Sequence, residues 1–359
     1  MPLGTIDALP LSYNSPKDNP STPEKIELGR LLFYDPVLSG DREVACATCH
    51  HPEFGYAESL ELSIGVNGKG LGQHRSFNEQ NDIPFTKRNS QSLINTAFNG
   101  IDEEGNYFPE KAPMFWDLRA FSLEQQAMLP IKTFEEMRGH GFKEVEMPGE
   151  VAKRLKVIAS YRNLFAKAFS GTNPVSDTNI GKALAAFQRS LLANNSRFDK
   201  YMRGDKSAMS GGEIEAMQVF IQTGCARCHS GPMFSDFKTH VLGIADNEKL
   251  PVSDSGFQGS YAFRTPTLRN LRHTGPFMHN GKLHSLENVL TFYEDLQGKE
   301  LPNDRVKRTQ LDPLALALKV EFKNISSIIE FINVLNDEAY DKKIPASVPS
   351  GLPVGGKIK

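Results

Sequence analysis

The chain is predicted to be mainly α-helical and to consist of two units of similar plan. Three observations carry this. Apolar residues recur at a 3.6-residue period in several segments, while few segments alternate as strands do. A helix start with its own capping residues precedes a Cys-x-x-Cys-His sequence in each half of the chain. All four cysteines lie in those two sequences, so none is left for a disulfide or a nucleophile. At 359 residues the chain also exceeds what one core comfortably supports.

The opening to Pro20 is rich in Pro, Ser and Asn without a period, and reads as an extended arm rather than a packed element. Ser21-Thr22-Pro23-Glu24 offers a capping oxygen, an early proline and an early glutamate, which predicts a helix through Leu31 and Leu32. Residues 55–113 are dense in Gly, Asn and Pro, an unusual length for a connection unless it wraps a ligand. Ser122 reads as the cap of a short helix ended by Pro130, and residues 150–169 and 180–192 as longer helices. Between these two, residues 170–178 bring Gly, Asn, Pro, Ser and Asp in quick succession, which places the junction between a first unit, 1–172, and a second, 173–359. Ser210 with Glu213 opens another capped helix leading to the second Cys-x-x-Cys-His. Residues 324–335 read as a helix, and 345–359 as a Gly- and Pro-rich tail at the surface that can fold back on the first unit.

Nearly balanced charges give a net charge of -2, and no basic tract tracks phosphates or anionic lipid, so nucleic acid and membrane surfaces are not expected partners. No apolar run approaches the ~18–20 residues that span a bilayer, and the first ten residues lack the pattern of a signal peptide.

In Cys46-Ala47-Thr48-Cys49-His50 and Cys225-Ala226-Arg227-Cys228-His229, two thiols one helical turn apart can form thioethers with the haem vinyl groups while the adjacent histidine reaches the iron. A four-cysteine zinc site has no need of a histidine after each pair. A thioredoxin-like pair would come once and follow a strand. Two covalently bound haem c groups, with His50 and His229 as proximal ligands, are therefore expected. Covalent haem attachment is completed outside the cytoplasm, which predicts a periplasmic protein. Met1-Pro2-Leu3-Gly4 then reads as the start of a form whose export signal was removed.

Around these motifs stand Gly29-Arg30-Leu31-Leu32-Phe33-Tyr34, Arg88-Asn89-Ser90, Trp116, residues 121–137, Phe263-Arg264-Thr265-Pro266-Thr267-Leu268-Arg269-Asn270 and Pro276-Phe277-Met278-His279-Asn280-Gly281. On these residues the chain resembles, over nearly its whole length, the bacterial dihaem cytochrome c peroxidase and MauG superfamily, in its MauG- or MbnH-like branch. The resemblance implies a mainly α fold of two cytochrome c-like haem domains with long loops wrapping the haems. The N-terminal haem would be peroxidatic and the C-terminal haem an electron store.

The same resemblance implies the site residues. Glu136 would be the acid/base group at the peroxide-binding haem, Gln126 would orient peroxide or water, and Pro130 would keep the sixth position small. The alternative for Glu136, beside Glu135, is a solvated helix end. Trp116, the only tryptophan, would relay charge between the haems, or simply pack in a core. On a helix over 285–296, Tyr293 stands where many members carry a methionine ligand. A phenolate oxygen there favours high-valent iron, whereas a thioether favours the ferrous state. Tyr293 as a plain core aromatic, and Met278 as the ligand, are the alternatives. A calcium ion between the haems would be held by Asn89 and the carbonyls of Thr274 and Pro276. His74, or His51 nearby, could cap the first iron, but His74 reads as a loop bystander, so an open first haem is expected. The implied function is use of hydrogen peroxide to form a high-valent, bis-Fe(IV)-like state. That state would oxidise aromatic residues, tryptophan foremost, of a periplasmic partner protein. The alternatives are a peroxide-detoxifying enzyme fed by a small redox protein, and a pure electron carrier.

Overall fold

The computed structural model describes residues 4–298 and 300–358; of the expected N-terminal start, Met1, Pro2 and Leu3 lie outside the described residues. The first long helix, Pro23–Tyr34, is capped by Thr22, whose side chain accepts from the Lys25 N–H, and proline fills its first turn where no N–H is needed. It buries Leu28, Leu32 and Phe33 and packs lengthwise on the helix Asp177–Arg189. Gly29 permits the approach, since a Cβ there would lie 2.0 Å from the Ala183 carbonyl oxygen.

The second half repeats the plan. Ser210 and Glu213 form a capping box opening Gly211–Gln222, which packs on Phe322–Asn333. Phe198, Phe220, Phe234 and Phe331 meet edge-on or tilted in this core, as Phe33, Tyr34, Tyr56 and Phe187 do in the first. Each Cys-x-x-Cys-His thus follows a helix clamped by a later one. Among the described residues, the strands form only three short antiparallel pairs: Gly68–Lys69 with Ser76–Phe77, Pro113–Met114 with Ala120–Phe121, and Thr239–Val241 with Ala262–Arg264. No helix among them is long and apolar enough to cross a membrane.

Several expectations need correction. The helix expected over 150–169 is two, Met147–Val157 and Ala159–Ala168. Ile158, following another β-branched residue, takes an extended backbone, which turns Tyr161 and Phe165 into the core and lets the Tyr161 hydroxyl donate to Asp35 at 2.6 Å. Pro130 does not end the Ser122-capped helix, Leu123–Gln126, but sits in the first turn of the next, Leu129–Lys132.

The chain around residue 172 is an exposed loop, and the helix after it, Asp177–Arg189, lies in the first core. The N-terminal arm is extended but packed, with Ile6 in the second core and the Leu9 N–H donating to Asp199. The C-terminal stretch packs against the first core. Tyr340 and Val348 are buried in the first core, the Thr48 hydroxyl donates to the Gly355 carbonyl at 2.8 Å, and Gly356 pairs with Val44. Each terminus straps the opposite half.

Candidate active site

Between the two cores lies one cavity of about 630 Å³, lined by both cysteine motifs, with His50 and His229. The His50 Nδ1 lies 3.0 Å from the Tyr56 carbonyl oxygen, and the His229 Nδ1 lies 3.0 Å from that of Phe234. A carbonyl accepts a proton on Nδ1 and leaves Nε2 unprotonated, the tautomer that ligates a metal. Burial lowers the basicity of both rings below its ordinary value, which keeps them neutral. Tyr56 and Phe234 both adopt left-handed backbone, φ 55° and 51°, rare for aromatic residues. Strain of that sort marks positions where a carbonyl is aimed for use.

The four cysteines are unpaired, and burial pushes the thiol of Cys46 up to about 12 and that of Cys225 to about 11. Thiols so disinclined to ionise are poor nucleophiles. Among the described residues, the one close group of His, Cys and carboxylate side chains is Cys228, Asp236 and His240. There the His240 ring contacts Asp312 at 2.7 Å and Asp236 at 3.0 Å. Burial opposes its charge, but Asp236 and Cys228 together outweigh it and raise its pKa to about 11, which favours a doubly protonated ring between two carboxylates. An oriented histidine directly after each cysteine pair fits two covalently held porphyrins.

Gln126, Pro130 and Glu136 line this cavity on the side of the first motif. Glu136 sits on a widened turn, Phe134–Arg138, in which the Gly139 N–H reaches the Phe134 carbonyl, a π-type distortion common at functional sites. Burial pushes its carboxyl up to about 7 against the pull of Arg119. The Gln126 Oε1 is buried without a hydrogen-bond partner. Gly65 backs the turn, because a Cβ there would lie 2.2 Å from the carbonyl oxygens of both Glu135 and Glu136. Gly65→Ala is accordingly expected to destabilise the fold by about 1–3 kcal/mol through overpacking, read as a lower denaturant midpoint.

Trp116 is 8% exposed, faces the same cavity, and donates from Nε1 to the Asn89 carbonyl at 3.0 Å. Tyr293, on the helix Leu286–Asp295 capped by Ser285, and Met278 line the second half of the cavity. Burial raises the Tyr293 phenol above its usual pKa, and the nearby Cys228 and Cys225 act in the same direction. Asn89, Thr274 and Pro276 also line it. The Asn89 side-chain NH₂ donates to the Leu60 and Glu61 carbonyls, which turns its oxygen the other way. That free carboxamide oxygen fits a hard cation. His74 is exposed and outside the lining, and His51 packs under its own turn. Sequence reasoning missed the Tyr56 and Phe234 carbonyls and Gly65. It also passed over Glu58, a buried carboxyl that burial pushes up to about 7.

A mainly helical fold in which one cavity joins two Cys-x-x-Cys-His motifs with oriented histidines defines a dihaem c-type cytochrome. Residues 23–207 match the profile of the di-haem cytochrome c peroxidase family. The chain is 36% identical to the methylamine utilization protein MauG of Methylorubrum extorquens, across 79% of this chain and 72% of that one. It is 29% identical to the cytochrome c551 peroxidase of Pseudomonas aeruginosa, across 85% of each. A crystal structure of a MauG-like protein associated with microbial copper homeostasis superposes with a TM-score of 0.74 at 25% identity, covering 92% of this chain and 95% of that one. The chain belongs to the di-haem cytochrome c peroxidase family, which includes the MauG proteins, and is a haem-dependent oxidoreductase.

Proposed function

We propose that the protein uses hydrogen peroxide to oxidise aromatic side chains, tryptophan foremost, of a partner protein in the periplasm. The single observation that carries this reading is Tyr293 in the second half of a cavity whose first half holds Glu136 and Gln126. Bound haem supplies the redox chemistry at the iron; the chain supplies the rest. The Glu136 carboxylate takes a proton from the entering peroxide and returns it to the departing oxygen. The unpartnered Gln126 Oε1 accepts the peroxide O–H, and Pro130, with no donor or ligand atom on its side chain, would leave room for peroxide to enter. With haem bound, His50 and His229 would be the histidines that hold the two groups, and Tyr293 would add a phenol oxygen to the second. A phenolate oxygen there favours storage of oxidising equivalents over their loss to a ferrous state. Trp116, in the lining of the same cavity, would serve as the relay for electrons drawn from the partner. Calcium held by Asn89 and the carbonyls of Thr274 and Pro276 would fix the Asn89 segment to which the Trp116 indole is bonded.

The likeness to the MauG proteins supports this reading. The likeness to the Pseudomonas aeruginosa peroxidase favours a second: removal of peroxide with electrons from a small redox protein. Stoichiometric peroxide added to the oxidised holoprotein separates them. The first reading expects a near-infrared band from charge shared between the haems, and its loss in Tyr293→Phe. No such band in the wild type favours the second reading, and an unchanged band in the variant rejects Tyr293 as ligand.

A further inference from the structure

Arg264 ends the strand Ala262–Arg264, is 6% exposed, and lines the cavity. Six arginines are buried among the described residues. Arg30, Arg154, Arg189 and Arg269 form ion pairs, and Arg75 has Glu58 and Glu43 as charged neighbours. Arg264 has only neutral acceptors. Its Nε donates to the Phe115 carbonyl at 2.9 Å, one terminal nitrogen to the Thr265 carbonyl at 3.5 Å, and the other to the Gln91 Oε1 at 3.2 Å. A guanidinium has five N–H groups, so two are left over. Burial alone, with no acid opposing it, pulls its pKa down to about 10, which still leaves it charged at neutral pH. An isolated buried charge is costly, and a guanidinium fork matches a carboxylate with two parallel bonds.

Its place in the cavity selects the carboxylate. Arg264 bonds to Gln91, whose backbone lies against the His50 ring, and is two residues from Pro266, whose backbone lies against the His229 ring. It therefore sits on the seam between the two haem pockets. Its own N–H donates to the Trp116 carbonyl at 2.7 Å. We propose that the free edge of the Arg264 guanidinium binds a haem propionate at this seam, and that the same side chain positions the Phe115–Trp116 segment against that haem. The inference rests on two haems filling the cavity and is independent of which partner is oxidised.

The test is spectroelectrochemistry of the holoprotein across neutral pH, with Arg264→Gln and Arg264→Lys. In the wild type the paired carboxylate stays ionised, so any drift of the midpoints with pH comes from other cavity groups, Glu136 first among them with its carboxyl held near 7. In Arg264→Gln one midpoint falls, because a positive charge beside the iron is gone. Its pH dependence also steepens relative to wild type, because the freed buried carboxylate takes up a proton when the iron is reduced. Arg264→Lys restores most of the wild-type behaviour. Two bound haems with unchanged midpoints and unchanged pH dependence in Arg264→Gln overturn the proposal. So does a wild-type midpoint that moves with added chloride or phosphate, which assigns the site to a solution anion. Should Arg264→Gln fail to assemble, redox-difference infrared spectra of wild type carrying propionate-labelled haem decide. Ionised carboxylates alone support the pairing, and a protonated-acid band at neutral pH sinks it. Failure of the two-haem reading shows separately, as a wild-type mass lacking two porphyrins.

Discussion

Glu136→Gln is expected to slow the reaction with hydrogen peroxide by ~10²–10⁴-fold, the range a positioned acid/base group contributes, while leaving both haems bound. The variant keeps the shape and hydrogen-bonding reach of the side chain and removes only its capacity to exchange a proton. Wild type carries a distinctive pH signature. Burial holds the Glu136 carboxyl near 7, and the first step needs its deprotonated form. The rate constant should therefore rise as pH passes upward through neutrality, then level. The glutamine variant should show no such rise. Arg119 works against burial by favouring the charged carboxylate, so Arg119→Gln should move the wild-type profile to higher pH without lowering its plateau. Stopped-flow mixing with peroxide under pseudo-first-order conditions reads all three. Equal rates and equal profiles for wild type and Glu136→Gln would remove Glu136 from the reaction.

How far this site could be read in advance depended on where its information resides. The cysteine motifs were legible because porphyrin geometry fixes both residue identity and spacing. The helices before them were legible because capping is local: Thr22 and Ser210 satisfy N–H groups within their own first turn. Glu136, Gln126 and Trp116 were reachable only through resemblance, and all three lie in the lining of the one cavity. The carbonyls of Tyr56 and Phe234 were invisible, since a main-chain oxygen carries no residue identity and left-handed backbone runs against the preference of aromatic side chains. The break at Ile158 was hidden by a continuous apolar period across residues 150–169. The contacts that hold the termini were illegible for a related reason. A Gly- and Pro-rich tail has no period, and what holds it is backbone pairing, such as Lys357 N–H to the Glu43 carbonyl at 2.9 Å, which composition does not encode. Arg264 was quoted in a motif, yet its lack of a counter-charge is a three-dimensional fact.

The crossed termini have an energetic centre, and it sets the second large expected effect. Asp199→Asn should destabilise the holoprotein by about 3–5 kcal/mol, the usual result of removing one partner from a buried ion pair. Asp199 is 0% exposed, and the side chain of Arg269 is 1% exposed. The two are joined by a pair of bonds of 2.9 Å each. Asp199 also accepts from the Leu9 N–H at 2.9 Å, which pins the N-terminal arm, and from Ser196, which caps the helix Arg197–Met202. Arg269 in turn donates to the Pro232 carbonyl just beyond the second cysteine motif, so the pair ties arm, helix and haem-binding loop at one point. Asparagine leaves the Arg269 charge buried and unmatched. Burial pushes the Asp199 carboxyl up, but Arg269 outweighs it and holds the pKa below the ordinary value. A depressed acid pKa gives stability that is present above the unfolded-state value of ~3.9 and is lost as pH falls through the folded value. The gap between wild type and Asp199→Asn should therefore be full at neutral pH and close progressively below about pH 4. Denaturant midpoints of the two holoproteins, taken across that range, provide the measurement. Asp199→Asn combined with Arg269→Met should recover part of the loss, since it no longer strands a charge. Equal midpoints at neutral pH for wild type and Asp199→Asn would show that the arm and the second core are held together by apolar contact alone.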